Sequence, residues 1–220
     1  MRKIVASVFQ SLDGVMQAPG GPSEDWTGGF AYGGWLAPFE DEATNSWLGE
    51  FFSAPFDLLL GRKTYEIFAA FWPFVPEDSS PIAKTFNHAA KYVLTRGGTS
   101  LEWAGSHALP DLAAVAALKE TDGPDLIVQG SSTLYPALLA AGLLDRLTVL
   151  TYPLVLGRGK RLFGAGTPPR ALSMTRHTVS PKGTIIAHYE PAGEVTTRPI
   201  MTIAPNEREA ARQQRMKDED

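Results

Sequence analysis

The chain has 220 residues, of which 44% are hydrophobic, and this is enough to bury the core of one domain. Its formal net charge is -4 and its cations are scattered along the sequence, which argues against a nucleic-acid-binding protein, because such proteins concentrate basic side chains on one face. The absence of cysteine excludes disulfides, thiolate metal sites and a cysteine nucleophile.

The N-terminal segment predicts a buried strand followed by an irregular loop. The apolar run at residues 3–9 favours a β-strand. Residues 17–39 are rich in Gly, Pro and aromatic side chains, a composition that fits either an active-site loop or a loop that packs on the sheet. The sequence has no signal-peptide core and no run of the roughly twenty apolar residues that a membrane span needs. We therefore expect a soluble, cytoplasmic protein.

Strands and helices alternate through the middle of the chain. Strands are predicted at residues 56–60, 91–94 and 125–129. The predicted helices span residues 40–52, 64–70, 111–119 and 133–141. This alternation is typical of parallel strands that are joined by crossover helices.

The C-terminal part of the domain changes to strands alone. They are predicted at residues 146–152, 172–180 and 184–189, and the last two are separated by Pro181-Lys182-Gly183, which favours a hairpin turn. The sheet is therefore predicted to be mixed, mostly parallel with an antiparallel C-terminal hairpin. Residues 1–190 form the predicted domain. Residues 191–220 form an extension that lacks an apolar stripe, for which we expect a frayed helix or disorder.

Three predicted strands end in residues that suit a phosphate-bearing ligand. Glycine lets a ligand approach the backbone, and a helix N-terminus and cationic side chains attract an anion. Ligands of open α/β sheets bind at the carboxyl ends of the strands, so the three corners predict one dinucleotide site, although each alone also fits a capped helix or a solvated turn. The corner residues are Gly61, Arg62, Lys63 and Thr64; Thr95, Arg96, Gly97 and Gly98; and Gly130, Ser131, Ser132, Thr133 and Leu134.

The ordered motifs resemble one known family. They are Ser11-Leu12-Asp13-Gly14, Leu60-Gly61-Arg62-Lys63-Thr64-Tyr65-Glu66, Val93-Leu94-Thr95-Arg96, Gln129-Gly130-Ser131-Ser132-Thr133-Leu134, and Gly142-Leu143-Leu144-Asp145-Arg146-Leu147 leading to Pro153-Leu154-Val155-Leu156-Gly157-Arg158-Gly159. Over residues 2–190 they look like the dihydrofolate reductase superfamily, in the branch named for the reductase domain of the bacterial bifunctional riboflavin-biosynthesis deaminase-reductase. The resemblance implies an α/β, dihydrofolate reductase-like three-layer fold, NADPH as cofactor, a homodimer, and Gly157 and Gly159 in the cofactor cleft.

The resemblance also suggests the catalytic candidates. Dihydrofolate reductases carry an acidic side chain on the first helix, and counting back from Gly61 puts this position at Asn45, with Glu42 three residues earlier. An amide cannot form the charge-assisted pair that a carboxylate makes with a protonated heterocycle, which puts folate reduction in doubt. Asp13, at the end of the first strand, is the stronger candidate, and turn formation is its alternative role.

Two further predictions concern bound groups. A ribosyl phosphate substrate needs additional cations, and the candidates are Arg158, Lys160 and Arg161. The four histidines show no metal-ligand spacing, so no metal is expected.

Together these features predict a stand-alone NADPH-dependent reductase that transfers hydride to a small planar heterocyclic or carbonyl substrate. Such a reaction depends mainly on the positioning of cofactor and substrate. Three alternatives remain open: the riboflavin-pathway 5-amino-6-(5-phosphoribosylamino)uracil reductase, dihydrofolate reductase, and a non-catalytic NADP-binding protein. The expected partners are a small-molecule substrate and a second copy of the chain, with neither nucleic acid nor membrane.

Overall fold

A single sheet of eight strands organises the chain in the computed structural model, which describes residues 1–97, 100–202, 204 and 206–219. Gly98, part of one predicted corner, lies outside the described residues. The strands are β1 (Ile4–Ser11), β2 (Phe56–Gly61), β3 (Lys91–Leu94), β4 (Ser106–Leu109), β5 (Asp125–Gln129), β6 (Arg146–Tyr152), β7 (Leu172–Val179) and β8 (Ile185–Pro191). Their order across the sheet is β4-β3-β2-β5-β1-β6-β8-β7.

In this spatial order, every pair of neighbouring strands from β4 across to β6 is parallel. β8 is antiparallel to β6, and β7 is antiparallel to β8. The predicted α/β class, with a mostly parallel sheet and an antiparallel C-terminal hairpin, is confirmed. In this arrangement β5 lies between β1 and β2, although it follows both in sequence. The carboxyl ends of β3, β2, β5, β1 and β6 therefore meet at one edge of the sheet, which is where α/β proteins bind ligands.

Six α-helices accompany the described strands: α1 (Glu42–Phe51), α2 (Arg62–Ala69), α3 (Pro81–His88), α4 (Leu112–Lys119), α5 (Leu134–Ala140) and α6 (Glu207–Glu219). Side-chain caps fix several starts, since Asp41 forms a capping box with Thr44 at α1 and Asp111 caps α4. The predicted start of α2 at residue 64 is wrong, because the helix begins two residues earlier, directly after Gly61. Neither α3 nor β4 was predicted.

Both faces of the sheet are covered, which produces the three layers. On one face, Ile4 and Ala6 of β1 belong to a buried cluster with Leu138 of α5 and Val115 of α4. On the other face, α1, α2 and α3 pack on the sheet. Trp47 of α1 lies in a buried cluster with Leu150 and Tyr152. Tyr65 of α2 and Phe86 of α3 lie in another with Leu58 and Leu60.

The C-terminal extension contributes one helix. β8 ends at Pro191, and α6 buries no side chain. The predicted domain boundary at residue 190 stays a prediction. Within the described ranges, no helix has both the length and the apolar character that a membrane crossing demands.

Candidate active site

The structure places three predicted corners side by side. β2 pairs with β3 through Gly61 and Leu94, and with β5 through Leu59 and Val128. The corners that follow these strands therefore occupy neighbouring positions along the carboxyl edge. Residues that are about 35 to 70 positions apart in sequence thus form one continuous surface.

A buried hydroxyl bridge joins two of these corners. The backbone N–H of Gly61 donates to Ser131 Oγ at 2.8 Å, and the Ser131 hydroxyl donates to Thr64 Oγ1 at 3.0 Å. Ser131 is 3% exposed and Thr64 is 8% exposed. Both hydroxyls, which the sequence offered as cofactor ligands, are thus engaged with each other. They hold the ends of β2 and β5 together beneath any ligand that binds there.

A close approach makes glycine necessary at position 130. Gly130 has φ +74°, and a Cβ there would lie 3.1 Å from Thr64 Cγ2. Its N–H donates to the hydroxyl of Tyr135, which in turn donates to the carbonyl of Ser7 at 2.9 Å. The sequence analysis did not identify Tyr135 as part of the site. Its hydroxyl was a usable signal, because a single phenol in an otherwise apolar helix needs a hydrogen-bond partner when it is buried. Burial raises the pKa of Tyr135, so the phenol keeps its proton and ties β5 to β1.

Removal of the bridging hydroxyl is expected to loosen this corner. Ser131→Ala leaves the Gly61 N–H without its acceptor, which should cost about 1–2 kcal/mol of unfolding free energy in a urea titration and weaken NADPH binding. Ser132→Ala is the matched control, since Ser132 is less buried than Ser131 and should cost less than about 0.5 kcal/mol. Equal losses in the two variants would contradict the bridging role.

The cationic side chains of the corners are accessible. Arg62, Lys63 and Arg96 are exposed, and Arg62 donates to Glu66 one helical turn away at 2.6 Å. Thr95 is buried and its hydroxyl accepts the Gly97 N–H at 3.4 Å. Among the remaining predicted ligands, Thr133 is exposed and Leu134 is buried. The surface therefore combines glycine backbone with exposed positive charge, which suits an anionic group.

Asp13 holds two loops together at the ends of β1 and β6. One oxygen accepts from Ser11 Oγ at 2.6 Å and from the Leu156 N–H at 3.0 Å, and the other accepts from the Gly157 N–H at 2.9 Å. Arg161 lies 3.4 Å away. Burial raises the pKa of Asp13, but the hydrogen bonds outweigh it and lower the pKa to about 2. These contacts favour positioning of the loop over donation of a proton.

Asp13→Asn is expected to destabilise this loop by about 1–2 kcal/mol and to lower turnover, with NADPH affinity nearly unchanged. Because the pKa of about 2 lies below the ordinary 3.8, the ionised carboxylate stabilises the fold above about pH 4. That contribution is lost as the pH falls from about 4 to 2. Urea titrations across this range should show the wild-type advantage shrinking towards acid, and a constant difference would refute the assignment.

The segment of residues 17–39 lies against the loop that follows β6. The Gln17 amide donates to the carbonyls of Asp25 and Thr27 and accepts the Lys160 N–H at 3.0 Å. A cavity of about 290 Å³ lies between the two loops. Its lining includes Gln17, Thr27, Gly28, Phe30, Arg158, Gly159 and Lys160. Phe30 and Trp35 are buried while Trp26 and Tyr32 are exposed, so the segment both packs on the sheet and presents aromatic rings to solvent.

The three cations that were candidates for a ribosyl phosphate all have internal partners. Lys160 forms an ion pair with Asp25, and Arg161 with Asp13. Arg158 donates to the Gly29 carbonyl at 2.8 Å. Together they fasten the segment of residues 17–39 and the end of β1 to the loop after β6.

The predicted glycines of the cofactor cleft lie on this same side. Gly157 donates its N–H to Asp13, and Gly159 lines the cavity against Val15 and Phe30. The end of β1 separates them from the corners of β5, β2 and β3. A cofactor contact at Gly157 or Gly159 stays a prediction.

The candidates on α1 are accessible. Thr44 and Trp47 form the buried stripe of this helix, whereas Glu42 and Asn45 are exposed. Asp41, at the N-cap, accepts the Lys182 N–H from the β7–β8 turn at 3.1 Å, which places the start of α1 at the carboxyl edge of the sheet. Within the part of the chain that the structure describes, no cluster of three or more His, Cys, Asp or Glu side chains is arranged to hold a metal ion.

Comparisons with known proteins agree with this architecture. The family described as the RibD C-terminal domain matches residues 2–186. The uncharacterized protein YyaP of Bacillus subtilis (strain 168) is 24% identical over 165 residues, which cover 74% of this chain and 80% of YyaP. A putative riboflavin biosynthesis protein from Shewanella sp. PV-4 superposes with a TM-score of 0.63 and 17% identity, covering 87% of this chain and 99% of that chain. Dihydrofolate reductase from Enterococcus faecalis, complexed with NADP(H) and RAB-propyl, superposes with a TM-score of 0.54 and 16% identity, covering 86% and 96%.

The fold and its strand-end site thus define a protein of the dihydrofolate reductase-like fold, and the resemblance predicted from the motifs is confirmed. Because the family match spans nearly the whole domain, the chain belongs to the RibD C-terminal domain family.

Proposed function

We propose that this protein is a stand-alone NADPH-dependent reductase that transfers hydride to a small planar heterocyclic or carbonyl substrate. The observation that carries the proposal is the row of corners at the ends of β5, β2 and β3, where glycine backbone and exposed cations adjoin. The dihydrofolate reductase named above was solved with NADP(H), which supports the same cofactor class.

The donor set of this row fits an anionic dinucleotide. Gly130 is exposed at the end of β5, and Lys63 and Arg96 supply accessible positive charge. When bound, NADPH supplies the hydride. The work left to the protein is to hold the cofactor, position the substrate and exclude water.

The substrate would lie beside this row, at the ends of β1 and β6 and the start of α1. Asn45 and Glu42 are exposed on α1, so they can orient a polar group of the substrate, and Glu42 can also pass a proton. Asp13 contributes by fixing the loop after β6. The aromatic segment of residues 17–39 can shield the reacting atoms from water.

Titration of the purified protein with NADPH and NADH, followed by nucleotide fluorescence, tests the proposal. Tight binding with a preference for NADPH, and oxidation of NADPH by a member of a substrate panel, is the expected result. The absence of binding to either nucleotide would refute the proposal. Binding without turnover across the panel would instead favour the non-catalytic NADP-binding alternative, which the amide at Asn45 permits.

The cations of the row are expected to distinguish the two nucleotides. Arg62→Ala and Arg96→Ala should each weaken NADPH binding more than NADH binding, by about 1–3 kcal/mol, if they contact the 2′-phosphate. Glu66→Gln is the opposing control, because it frees Arg62 from its ion pair and should tighten NADPH binding. Equal effects on both nucleotides would remove the 2′-phosphate assignment.

The riboflavin-pathway reductase is the second candidate, favoured by the family match and by the name of the Shewanella neighbour. The internal pairing of Lys160 and Arg161 counts against it, because its substrate carries a ribosyl phosphate. Dihydrofolate reduction is less favoured still, since an amide at Asn45 replaces the acidic side chain that the resemblance implies.

A homodimer and a cytoplasmic location belong to the same proposal. β7 is an edge strand whose side chains are mostly exposed, and Met174 and Val179 are 53% and 60% exposed. An exposed edge strand leaves backbone N–H and C=O groups unpaired, and the edge strand of a second copy would pair with them. The absence of cysteine fits a reducing compartment.

A further inference from the structure

The hairpin of β7 and β8 has two different faces. On the face that carries α1, Arg176 of β7 forms an ion pair with Glu50 of α1, and His188 of β8 lies beside Trp47. The other face is formed by four pairs of directly opposed residues, which point to the same side of an antiparallel sheet. These pairs are Leu172 and Pro191, Met174 and Tyr189, His177 and Ala187, and Val179 and Ile185. None of the eight is an Asp, Glu, Lys or Arg, so this second face is essentially apolar.

Three apolar side chains of the second face are uncovered. Leu172 and Tyr189, at one end of the hairpin, pack against the buried cluster of α4 and α5. Met174, Val179 and Ile185 are 53%, 60% and 42% exposed, and we call these three residues the β7–β8 strip. An antiparallel sheet that faces water normally presents polar side chains to it. The strip therefore gains free energy when another apolar surface covers it.

The C-terminal arm, residues 192–219, leaves the sheet beside the start of β7. The Ala192 N–H donates to the Ala171 carbonyl at 2.8 Å, and the Ala171 N–H donates to the Gly193 carbonyl at 3.0 Å. Among the described residues beyond Gly193, every side chain except that of Glu209 is exposed. The arm thus extends from the body of its own chain without packing on it.

The arm carries an apolar segment that lacks a partner surface in its own chain. Ile200 is fully exposed, and Val195 and Met201 are 51% and 76% exposed. Arg198 is the only charged residue between positions 195 and 201. The helix that follows, α6, has 13 residues and buries no side chain, and a helix of that length is marginal in water without outside contacts. The segment of residues 195–201 therefore matches the strip in character.

Pairing between two copies brings the arm of one chain to the strip of the other. The proposed homodimer, on which this inference rests, joins the exposed edge of β7 to the same edge of a second copy. Two identical edges that pair through a two-fold axis run antiparallel, so the first residue of each strand lies near the last residue of the other. The arm leaves beside Leu172 and therefore begins near Val179 of the second copy. Val179 of its own chain lies about 24 Å away, at the far end of β7.

We infer that residues 195–201 of each chain lie across the β7–β8 strip of a second copy. The seven residues from Glu194 to Ile200 can span up to about 23 Å when extended, which exceeds the length of about 17 Å between Val179 and Met174. The exchange is reciprocal, so one symmetric contact covers both strips and both apolar segments. It adds buried apolar area to a dimer that edge pairing alone would hold by backbone hydrogen bonds.

Disulfide cross-linking tests this inference cleanly, because the chain has no cysteine. A tagged chain with Ile200→Cys is co-expressed with an untagged chain with Val179→Cys, and the purified protein is oxidised without denaturant. A disulfide-linked product of one tagged and one untagged chain is the expected result. Thr178→Cys replaces Val179→Cys in the matched control, since Thr178 is also exposed but points to the opposite face, and its yield should be at least about tenfold lower. Comparable yields at the two positions, or no linked product, would overturn the inference.

The same two substitutions in one chain distinguish exchange from folding back. Ile200→Cys combined with Val179→Cys should give covalent dimers on oxidation at low protein concentration. A monomer with an internal disulfide would overturn the inference, because it would show that the arm covers the strip of its own chain.

The dimer equilibrium gives a second measurement. Ile200→Asp should raise the dimer dissociation constant at least about tenfold in sedimentation experiments, because a carboxylate replaces an apolar side chain in both copies of the contact. Met216→Asp, an exposed position on α6 outside the segment, should change the constant less than about twofold. A dimer that is insensitive to Ile200→Asp would refute this inference alone, whereas an unsubstituted protein that sediments as a monomer would refute the proposed homodimer as well. Titration of the same preparation with NADPH tests the reductase proposal separately, since β7 and β8 lie across the sheet from β2 and β3.

Discussion

Gly159→Ala is expected to lower the free energy of unfolding by about 3–5 kcal/mol, because two penalties coincide at this position. Gly159 has φ +135°, which an L side chain rarely adopts, and a Cβ there would lie 2.5 Å from Val15 Cγ1 and 3.1 Å from Phe30 Cε2. Val15 is fully buried and Phe30 is 5% exposed, so neither can move away without cost. Urea unfolding measures the loss.

Gly157→Ala separates the two penalties. Gly157 also has a positive φ, +76°, but a Cβ there meets no described atom within 4 Å. This variant should therefore cost only the backbone strain, about 1–2 kcal/mol. Equal destabilisation of the two alanine variants would show that the close contact of Gly159 with Val15 has no energetic importance. The attachment of the segment of residues 17–39 to the loop after β6 would then depend on its hydrogen bonds alone.

The same attachment explains why sequence reasoning gave the cations of this loop a different role. A run such as Gly157-Arg158-Gly159-Lys160-Arg161 has the composition of an anion site. The partners that occupy Lys160 and Arg161 are Asp25 and Asp13, more than 130 residues earlier in the chain. No local pattern shows such a pairing, because it depends on β1 and β6 being neighbours.

The strands and helices that were predicted correctly are those whose local sequence pattern is sufficient to identify them. The buried strands carry continuous apolar runs, and their glycine ends mark the turns. β4 was missed because its four residues are short of apolar side chains, and only pairing with β3 makes them a strand. α3 was missed although Ser80 and Pro81 give it an N-cap and a first-turn proline, because eight residues provide little periodicity.

At the candidate site, the sequence predicted which residues gather but not how they share the work. Gly61, Thr64, Gly130 and Ser131 were all identified from strand-end patterns. The sequence could not show that the hydroxyls of Ser131 and Thr64 bond to each other, because the two residues are 67 positions apart. Their burial in the folded chain shows that they face each other rather than solvent. Exposed residues such as Lys63 and Arg96 can contact a ligand, whereas the buried hydroxyls hold the corners in place.

Asp57→Ala is expected to cost about 3–5 kcal/mol of unfolding free energy, from the end of the sheet opposite the site, because it leaves a buried guanidinium uncompensated. Asp57 pairs with Arg2, whose side chain is 2% exposed, and it also accepts the Ala90 N–H at 3.0 Å. Arg2 Nε donates to the Pro124 carbonyl at 2.6 Å. The starts of β1, β2, β3 and β5 therefore depend on this one pair.

A second substitution tests whether the unpaired charge of Arg2 causes the stability loss of Asp57→Ala. If an unpaired charge is responsible, Arg2→Met added to Asp57→Ala should recover part of the stability, because the double variant buries no lone charge. Asp125→Ala, an exposed carboxylate at the start of β5 that accepts the Lys3 N–H, should cost less than about 1 kcal/mol. NADPH affinity is then measured well below the unfolding midpoint, and it should be the same in Asp57→Ala as in the unmodified protein. The reason is that the Arg2–Asp57 pair lies at the starts of the strands, whereas the glycine corners that provide the binding surface lie at their other ends. A parallel loss of affinity and stability would show instead that the two ends of the sheet are energetically coupled.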